Sequence, residues 1–304
     1  MDHLEDTSLI LNPFEYDFDL SSYKKYIIDL CSNYKVDDKK RYQIVVMAAG
    51  KGSRMNLNYP KPLFKINYPN GKKTLLKNLL DVIEEAIPNV SKINIAINSI
   101  DRDYFEDLKD RNNMIEILEL NDSQIKGTAV CLDAIKDSLS DKDDIILFWG
   151  DLAITRSSYI FYSILLHEKY ESSITMPTRY KKDPYVGFIR GNFGKFIKVF
   201  HSNEAEQYIG WAEQDCLSFI LKKEVLSVLP EFIKNEKNKG KEEIDFVSFI
   251  PFCNVKNNIL GIPFADYKNV SGINNKDKAK KIEQYLENMS SAKYEDKFLN
   301  KYSL

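Results

Sequence analysis

Histidine and cysteine are scarce in this 304-residue chain, with three of the first and four of the second. Cys31, Cys131, Cys216 and Cys253 are widely separated and form no Cys-x-x-Cys pair. With only His3, His167 and His201 to add, a zinc site is not expected. An excess of charge is missing too. The 43 Lys and Arg are matched by 45 Asp and Glu, a net charge of −2, which removes the electrostatic basis for binding nucleic acid. The lysine-rich runs at 37–41 and 234–243 are interleaved with acids and read as solvated loops. No apolar run approaches the ~20 residues of a membrane span. Residues 1–12 carry early acids and no long apolar core, unlike a signal peptide. Internal repeats and low-complexity tracts are absent. These absences lead to the expectation of a soluble cytoplasmic protein in a reducing compartment, with neither nucleic acid nor membrane as a partner.

Aromatic residues, in contrast, are plentiful, and 18 Tyr and 17 Phe supply a real core. The length admits one large α/β domain or two modest ones. From Gln43 onward strand and helix patterns alternate, the signal of a parallel sheet covered by helices. Strands are expected at 44–48, 93–97, 114–118 and 145–149, and helices at 74–87 and 127–139. Further strands at 174–177, 186–190, 196–200 and 216–221, mixed with polar loops, read as an antiparallel addition able to hold a second substrate. A last helix is expected over 276–288. Residues 1–42 form an N-terminal extension in which Tyr23, Tyr26, Ile27, Leu30 and Tyr34 fall at helical spacing. That amphipathic helix has two uses open to it, packing on its own domain or contact with a second copy in a homo-oligomer. The main domain is read as 43–290, followed by a polar, tyrosine-containing tail at 291–304.

The densest information lies in Val45-Val46-Met47-Ala48-Ala49-Gly50-Lys51-Gly52-Ser53-Arg54-Met55, followed by Tyr59-Pro60-Lys61-Pro62-Leu63. A β-branched run feeds a glycine-containing loop, whose backbone can turn tightly and aim successive N–H groups at phosphate oxygens. Ala48, Ala49, Gly50, Gly52 and Ser53 are the candidate cradle, and Arg54 and Lys61 add positive charge beside it. Such a loop implies a nucleoside triphosphate and chemistry at its phosphates. It is not a Walker A loop, since no Gly-Lys-Ser/Thr closes it, and the glycine spacing is wrong for a dinucleotide fingerprint.

The two linked motifs closely resemble the signature L-A-A-G-x-G-x-R-M…P-K-x-L of the nucleotidyltransferases with a glycosyltransferase-A-like α/β fold. The resemblance covers roughly 43–290, with strong motifs in the first half and weaker ones in the second. It implies a Rossmann-like, mostly parallel sheet flanked by helices, with an antiparallel acceptor-binding addition. It also implies an enzyme that joins a nucleoside triphosphate to a phosphorylated small molecule and releases pyrophosphate, in nucleotide-sugar synthesis of the kind that feeds cell-surface polysaccharides.

Other segments fit the same family residue by residue. Phe148-Trp149-Gly150-Asp151 resembles its V-L-x-G-D, placing Asp151 as a Mg²⁺ ligand just past a buried strand, where open α/β sheets bind ligands. Capping the turn that follows is the other use for Asp151. Val270-Ser271-Gly272-Ile273-Asn274 is similar to the V-x-G-V-N of the N-acetylglucosamine-1-phosphate uridylyltransferases, which makes Asn274 the second metal ligand, with a plain helix N-cap as the alternative. Gly127-Thr128-Ala129 resembles the Gly-Thr-Ala that touches base and ribose. Five residues before that glycine stands Asp122, beside Asn121, where relatives that bind uracil or thymine often carry Gln. A carboxylate suits guanine and an amide suits cytosine or uracil, so the base stays open.

The acceptor side is less faithful. Asp183-Pro184-Tyr185-Val186-Gly187 resembles the D-P-x-x-Y-G-R of the sugar site, with Gly187 leaving room for a ligand. His201, with Glu204 nearby, stands where the acetamido-sugar enzymes have Glu, and Asp215-Cys216-Leu217 replaces their Asn-Thr-Gly. Trp211, Glu213 and Asp215 are therefore read as a pocket for a cationic or amine-bearing acceptor, against ordinary packing and surface charge. Acetyl transfer is not expected, because no hexapeptide β-helix follows the domain. A sugar 1-phosphate is the first choice of acceptor. The alternatives are a CTP-dependent cytidylyltransferase acting on a phosphorylated alcohol or amine such as phosphocholine or an aminophosphonate, and a non-catalytic nucleotide-binding module. The methylerythritol-phosphate cytidylyltransferases share the first loop and rank below the sugar enzymes. A glycosyltransferase of related fold would want Asp-x-Asp where this chain has Gly150-Asp151-Leu152.

Overall fold

The β-branched run at the start of the signature is a buried central strand, β1 (Tyr42–Met47), with parallel neighbours on both sides. In this computed structural model the described residues are 25, 27–29, 31, 34–50, 52–191, 194–201, 211–253, 258–263 and 270–289. After β1 come a hairpin of β2 (Lys65–Tyr68) and β3 (Gly71–Thr74), helix α1 (Leu75–Ala86), β4 (Val90–Asn98), the short α2 (Leu108–Arg111) and β5 (Ile115–Leu120). Helix α3 (Thr128–Ile135) leads to β6 (Asp144–Trp149), β7 (Leu152–Ile154) and α4 (Ser157–Lys169). The second half holds β8 (Ile174–Lys182), β9 (Val186–Arg190), β10 (Phe196–His201), β11 (Trp211–Asp215) and β12 (Ser218–Leu221). It closes with α5 (Leu229–Asn238), α6 (Phe249–Cys253), β13 (Ile259–Ile262), β14 (Ser271–Gly272) and α7 (Lys276–Glu287).

Ten strands form one sheet in the order β10-β9-β11-β8-β12-β6-β1-β4-β5, with β13 paired to β8. β6, β1, β4 and β5 run parallel, while β12 is antiparallel to both β6 and β8. β11, β9 and β10 continue the antiparallel addition that the sequence pattern implied. Successive residues of β1 serve opposite faces. Ile44 and Val46 pack into one core with Leu76, Leu80 and Ile83 of α1, and Val45 into the other with Leu132, Phe219 and Phe246. Both faces are covered, which is why the strand is apolar throughout.

α1 follows from its apolar stripe (Leu75, Leu76, Leu79, Leu80, Val82, Ile83 and Ala86, all buried) and from Thr74, whose side chain accepts from Lys77 N at 3.0 Å as the N-cap. It stops at Ile87, before Pro88. The strand expected over 216–221 is broken. Leu217 has φ +61°, and its N–H donates to Asp215 Oδ2 at 2.9 Å, so the chain leaves β11 and re-enters the sheet as β12, two places away. A local Asx-type bond at Asp215 overrides the apolar pattern there.

In the extension, Lys25, Ile27–Asp29 and Cys31 are helical, and Ile27 and Cys31 are buried in the core that holds Ile44 and Val46. Tyr23, Tyr26, Leu30 and the tail at 291–304 lie outside the described residues. Among the described residues no helix is long and apolar enough to cross a membrane.

Candidate active site

Strand order reverses about β1, since the chain runs from β1 out to β4 and β5 on one side and then returns to β6 on the other, and the crevice beyond such a point is the natural ligand site of an open sheet. The signature loop leaves β1 there and Asp151 leaves β6 there. Gly150 makes their approach possible. Its N–H donates to Met47 O at 2.9 Å, and a Cβ on it would lie 2.9 Å from Met47 O and 3.1 Å from Pro62 Cγ. Gly52 plays the matching part on the loop, with φ +58° and its missing Cβ 3.0 Å from Lys61 Cβ. A Cβ on Gly50 would meet nothing within 4 Å, so the loop faces open space at that residue. Ala48 and Ala49 are buried, Ala48 through a 2.8 Å bond from its N–H to Ala96 O. Met55 anchors the loop in a separate core with Ile66, Leu75, Ile154 and Ile273, while Arg54 stands exposed. Lys51 and the side chain of Ser53 lie outside the described residues.

Lys61, Asp151 and Asn274 converge from three distant parts of the chain. Lys61 Nζ donates to Asp151 Oδ2 at 2.5 Å and lies 3.4 Å from Asn274 Oδ1. The Asn274 amide also fits reversed, with its nitrogen then donating to Asp151 Oδ2 at 3.3 Å and Ile273 O at 3.2 Å. Backbone pairing holds the trio. β14 runs antiparallel to β7, and Ile273 N donates to Asp151 O at 3.0 Å. The cap of α7 is Asn275, whose side chain accepts from Lys278 N at 2.8 Å, so Asn274 is left to face Asp151. Asp151 likewise caps no helix, since Arg156 occupies the N-cap position of α4.

Asp151 Oδ1 is buried and lacks a hydrogen-bond partner among the described residues. That orphaned oxygen, with Asp151 Oδ2 and the Asn274 amide oxygen, fits a hard divalent cation. No three His, Cys, Asp or Glu side chains cluster as a metal site among the described residues. One carboxylate and one amide suit Mg²⁺, which draws its other ligands from water and phosphate.

Residues 42–170, which include the loop and Asp151, match the model of the IspD family, 2-C-methyl-D-erythritol 4-phosphate cytidylyltransferase. The chain is 28% identical over 250 residues to the bifunctional protein GlmU of Buchnera aphidicola subsp. Schizaphis graminum, covering 78% of this chain and 49% of that protein. It is 24% identical to GlmU of Clostridium beijerinckii over 247 residues, 80% of this chain and 52% of that one. It thus spans about half the length of these curated relatives. A putative glucose-1-phosphate thymidylyltransferase from Bacillus anthracis superposes with a TM-score of 0.63 at 13% identity, over 82% of this chain and 96% of that one. The inositol-1-phosphate CTP transferase from T. maritima gives 0.59 at 15% identity, over 88% and 97%. Over most of its length the chain is similar to nucleotidyltransferases.

Several candidate site residues have other employment than the sequence suggested. Gly127 has φ +97°, and a Cβ on it would collide with the Ile244 backbone. Thr128 Oγ1 accepts from Phe246 N at 2.8 Å, and Ala129 N donates to Ile244 O at 3.0 Å. The start of α3 is thereby closed over by residues 244–246. Asn121 Oδ1 accepts from Ser123 N, Ser123 Oγ and Gln124 N at 3.0, 2.6 and 3.2 Å, forming a turn, while Asp122 beside it is exposed. The place of a Cβ on Gly187 is filled by the Phe200 ring, so its lack of a side chain serves packing and opens no room for a ligand.

Among the described residues, Glu213 and Asp215 of the expected cationic-acceptor pocket are engaged internally. Glu213 is buried and bidentate with Arg190, both bonds at 2.6 Å, and also accepts from Thr178 Oγ1 at 2.5 Å. That buried ion pair satisfies the carboxylate internally. Asp215 is buried too, and burial pushes its carboxyl upward in pKa, opposed by the Leu217 N–H and Arg179. The side chain of Trp211 lies outside the described residues. His201 Nε2 is 3.4 Å from Ser248 Oγ, and Glu204 lies outside the described residues.

Three cations near the centre escaped the sequence reading. Arg179 is buried on β8, its guanidinium donating to Val270 O and, at 3.1 Å, to Gln214 Oε1. Lys181, two residues on and so on the same face of β8, has its pKa lowered by burial and by Arg179. Lys278 on α7 is lowered to about 8 by burial, then by the positive charges of Arg179 and Lys181, with Asp151 opposing and Lys61 adding to the depression. The alternation Arg-x-Lys was legible in Arg179-Tyr180-Lys181, but the strand expected there ended at Pro177.

Proposed function

We propose that this domain transfers a nucleotidyl group from a nucleoside triphosphate to the phosphate of a small-molecule acceptor, releasing pyrophosphate. The convergence of Lys61, Asp151 and Asn274 behind an open glycine loop carries this reading. An acceptor phosphate oxygen attacks the α-phosphorus in line, and no covalent enzyme intermediate forms, so positioning and charge neutralisation supply the rate. The backbone of Ala48, Ala49, Gly50, Gly52 and Ser53 would cradle the triphosphate. Arg54 would hold the departing pyrophosphate, and Lys61 would stabilise the attacked α-phosphate. Asp151 and Asn274 would hold Mg²⁺, whose chemistry there is neutralisation of phosphate charge. Exposed Asp122 and neighbouring Asn121, at the end of β5, are the candidates for the base edge. A sugar 1-phosphate is the first choice of acceptor, after the thymidylyltransferase-like and inositol-phosphate-like folds. One observation favours a second reading of the donor. Residues 42–170, which bear the loop and Asp151, match a cytidylyltransferase model, which makes CTP the first triphosphate to test.

The deciding experiment is pyrophosphate release by purified protein with Mg²⁺, with CTP, UTP, GTP, ATP and dTTP each against sugar 1-phosphates, inositol 1-phosphate, methylerythritol 4-phosphate and phosphocholine. Release that requires one triphosphate and one acceptor is the expected result. Acceptor-independent silence with every triphosphate, in a protein that also binds none of them, overturns the reading.

A further inference from the structure

Asp151 and Asn274 ride on a ribbon of minimal size. β14 has two residues and β7 three, paired at Ser271–Ile154 and Gly272–Leu152. Even a longer pair of strands is marginal in water on its own, so the spacing of the two side chains needs support from outside the ribbon. Side chains from three other elements supply it at two carbonyl oxygens. Val270 O accepts from the guanidinium of Arg179, which is buried on β8 and also donates to Gln214 Oε1 at 3.1 Å. Ala153 O accepts from the Tyr68 hydroxyl of β2 at 2.9 Å and from Asn78 Nδ2 of α1 at 3.4 Å, both buried bonds. Gly272 completes the fit. A Cβ on it would lie 3.3 Å from Asp151 Oδ1, so the β14 backbone passes directly beside the orphaned oxygen.

The two grips fall one on each strand, each close to one of the proposed ligands. Arg179 holds the carbonyl four residues before Asn274, and Tyr68 holds the carbonyl two residues after Asp151. A guanidinium is costly to bury unless its bonds offset the desolvation, and here one of those bonds ends on the metal-bearing segment. Register matters because a slip of one residue in a strand pair turns every side chain to the opposite face. Asn274 would then leave Asp151. We propose that Arg179 and Tyr68 are positioning residues of the metal centre, holding β14 on β7 at the spacing at which Asp151 and Asn274 share one divalent cation. The cation rests on the nucleotidyl-transfer reading; the grip on the ribbon does not. Both residues act through the main chain, so neither needs to touch the metal or a substrate.

The test is Mn²⁺ titration of the full chain, read by electron paramagnetic resonance, for the wild type, Arg179→Met, Arg179→Lys, Tyr68→Phe and Asn274→Ala. Arg179→Met and Tyr68→Phe are each expected to weaken Mn²⁺ binding roughly 10–100-fold, the usual cost of losing an outer partner of a metal site. The sign separates grip from charge. Loss of a positive charge near a cation site would by itself tighten binding, whereas loss of the grip loosens it. Arg179→Lys keeps the charge but lacks the planar fork that makes both bonds, so it should behave like Arg179→Met. In an Asn274→Ala background each variant should add little, because spacing no longer matters with one ligand gone. If Arg179→Met does not fold, Tyr68→Phe, which removes only a hydroxyl, carries the same comparison. Unchanged or tightened Mn²⁺ binding in folded variants, an undiminished effect in the Asn274→Ala background, or no Mn²⁺ binding by the wild type each overturns the proposal. Because these titrations read binding alone, a chain that binds Mn²⁺ in this pattern but releases no pyrophosphate would sink the transfer reaction and leave the positioning roles standing.

Discussion

Lys61 Nζ lies 2.5 Å from Asp151 Oδ2, joining the signature loop to a carboxylate 90 residues later in the chain. The ammonium sits on an oxygen that the proposed Mg²⁺ would use, so lysine and metal compete for the same atoms. Because Lys61 is also the group proposed to stabilise the attacked α-phosphate, Lys61→Ala should lower kcat by about 10²–10³, the usual worth of one preorganised transition-state contact. It should not weaken Mn²⁺ binding to the nucleotide-free chain, read by electron paramagnetic resonance. Near-normal turnover in a folded variant would remove Lys61 from the chemistry.

Asp151→Asn keeps the shape of the site and removes its one strongly metal-seeking charge. The Mg²⁺ activation curve for pyrophosphate release should shift to higher concentration. An unchanged curve would count against metal ligation at Asp151.

Gly150→Ala places a methyl 2.9 Å from the Met47 carbonyl oxygen, a backbone atom that cannot swing aside. Overpacking of this kind destabilises by about 1–3 kcal/mol. Urea denaturation should show that loss, and activity should fall further, because Asp151 shifts with the strand end.

Lys278→Met should raise the melting temperature at pH 7. The folded-state pKa of Lys278 is about 8, below its ordinary value of 10.5. Between those values the unfolded chain binds the extra proton, so stability increases with pH across that window. The penalty of charged Lys278 is complete below pH 8 and vanishes above 10.5. The advantage of the Lys278→Met variant over the wild type should shrink accordingly as melting curves are taken from about pH 7 to 10.

His167 is fully buried, with Nδ1 2.9 Å from Thr175 Oγ1 and Nε2 3.5 Å from Asp144. Burial lowers its pKa from 6.5, against the raising effect of Asp144. A lowered base keeps the folded state short of a proton that the unfolded state takes up, so stability present above pH 6.5 is lost as pH falls below it. Melting temperatures from about pH 7 to 5 should drop less steeply for His167→Gln than for the wild type.

The sequence by itself determined the parts that short segments specify. A β-branched run with both faces apolar must be an interior strand, Gly50 and Gly52 mark a loop open to a ligand, and an acid after Trp149-Gly150 falls at a strand end. These are backbone facts with periods of two residues or single turns, and they survive in any packing. What side chains do across the fold was decided only by tertiary structure. Adjacent Asn274 and Asn275 look alike as letters, yet Asn275 caps α7 while the pairing of β14 with β7 turns Asn274 toward Asp151. Glu213 reads as an available acid until β9 brings Arg190 beside it, and Gly187 reads as room until Phe200 fills it. Lys278 and Lys181 lie far apart in the chain, and their charges meet only once α7 and β8 are both in place. Electrostatic neighbours act over ångströms in space rather than over positions in sequence, so these could be read only once the sheet was assembled.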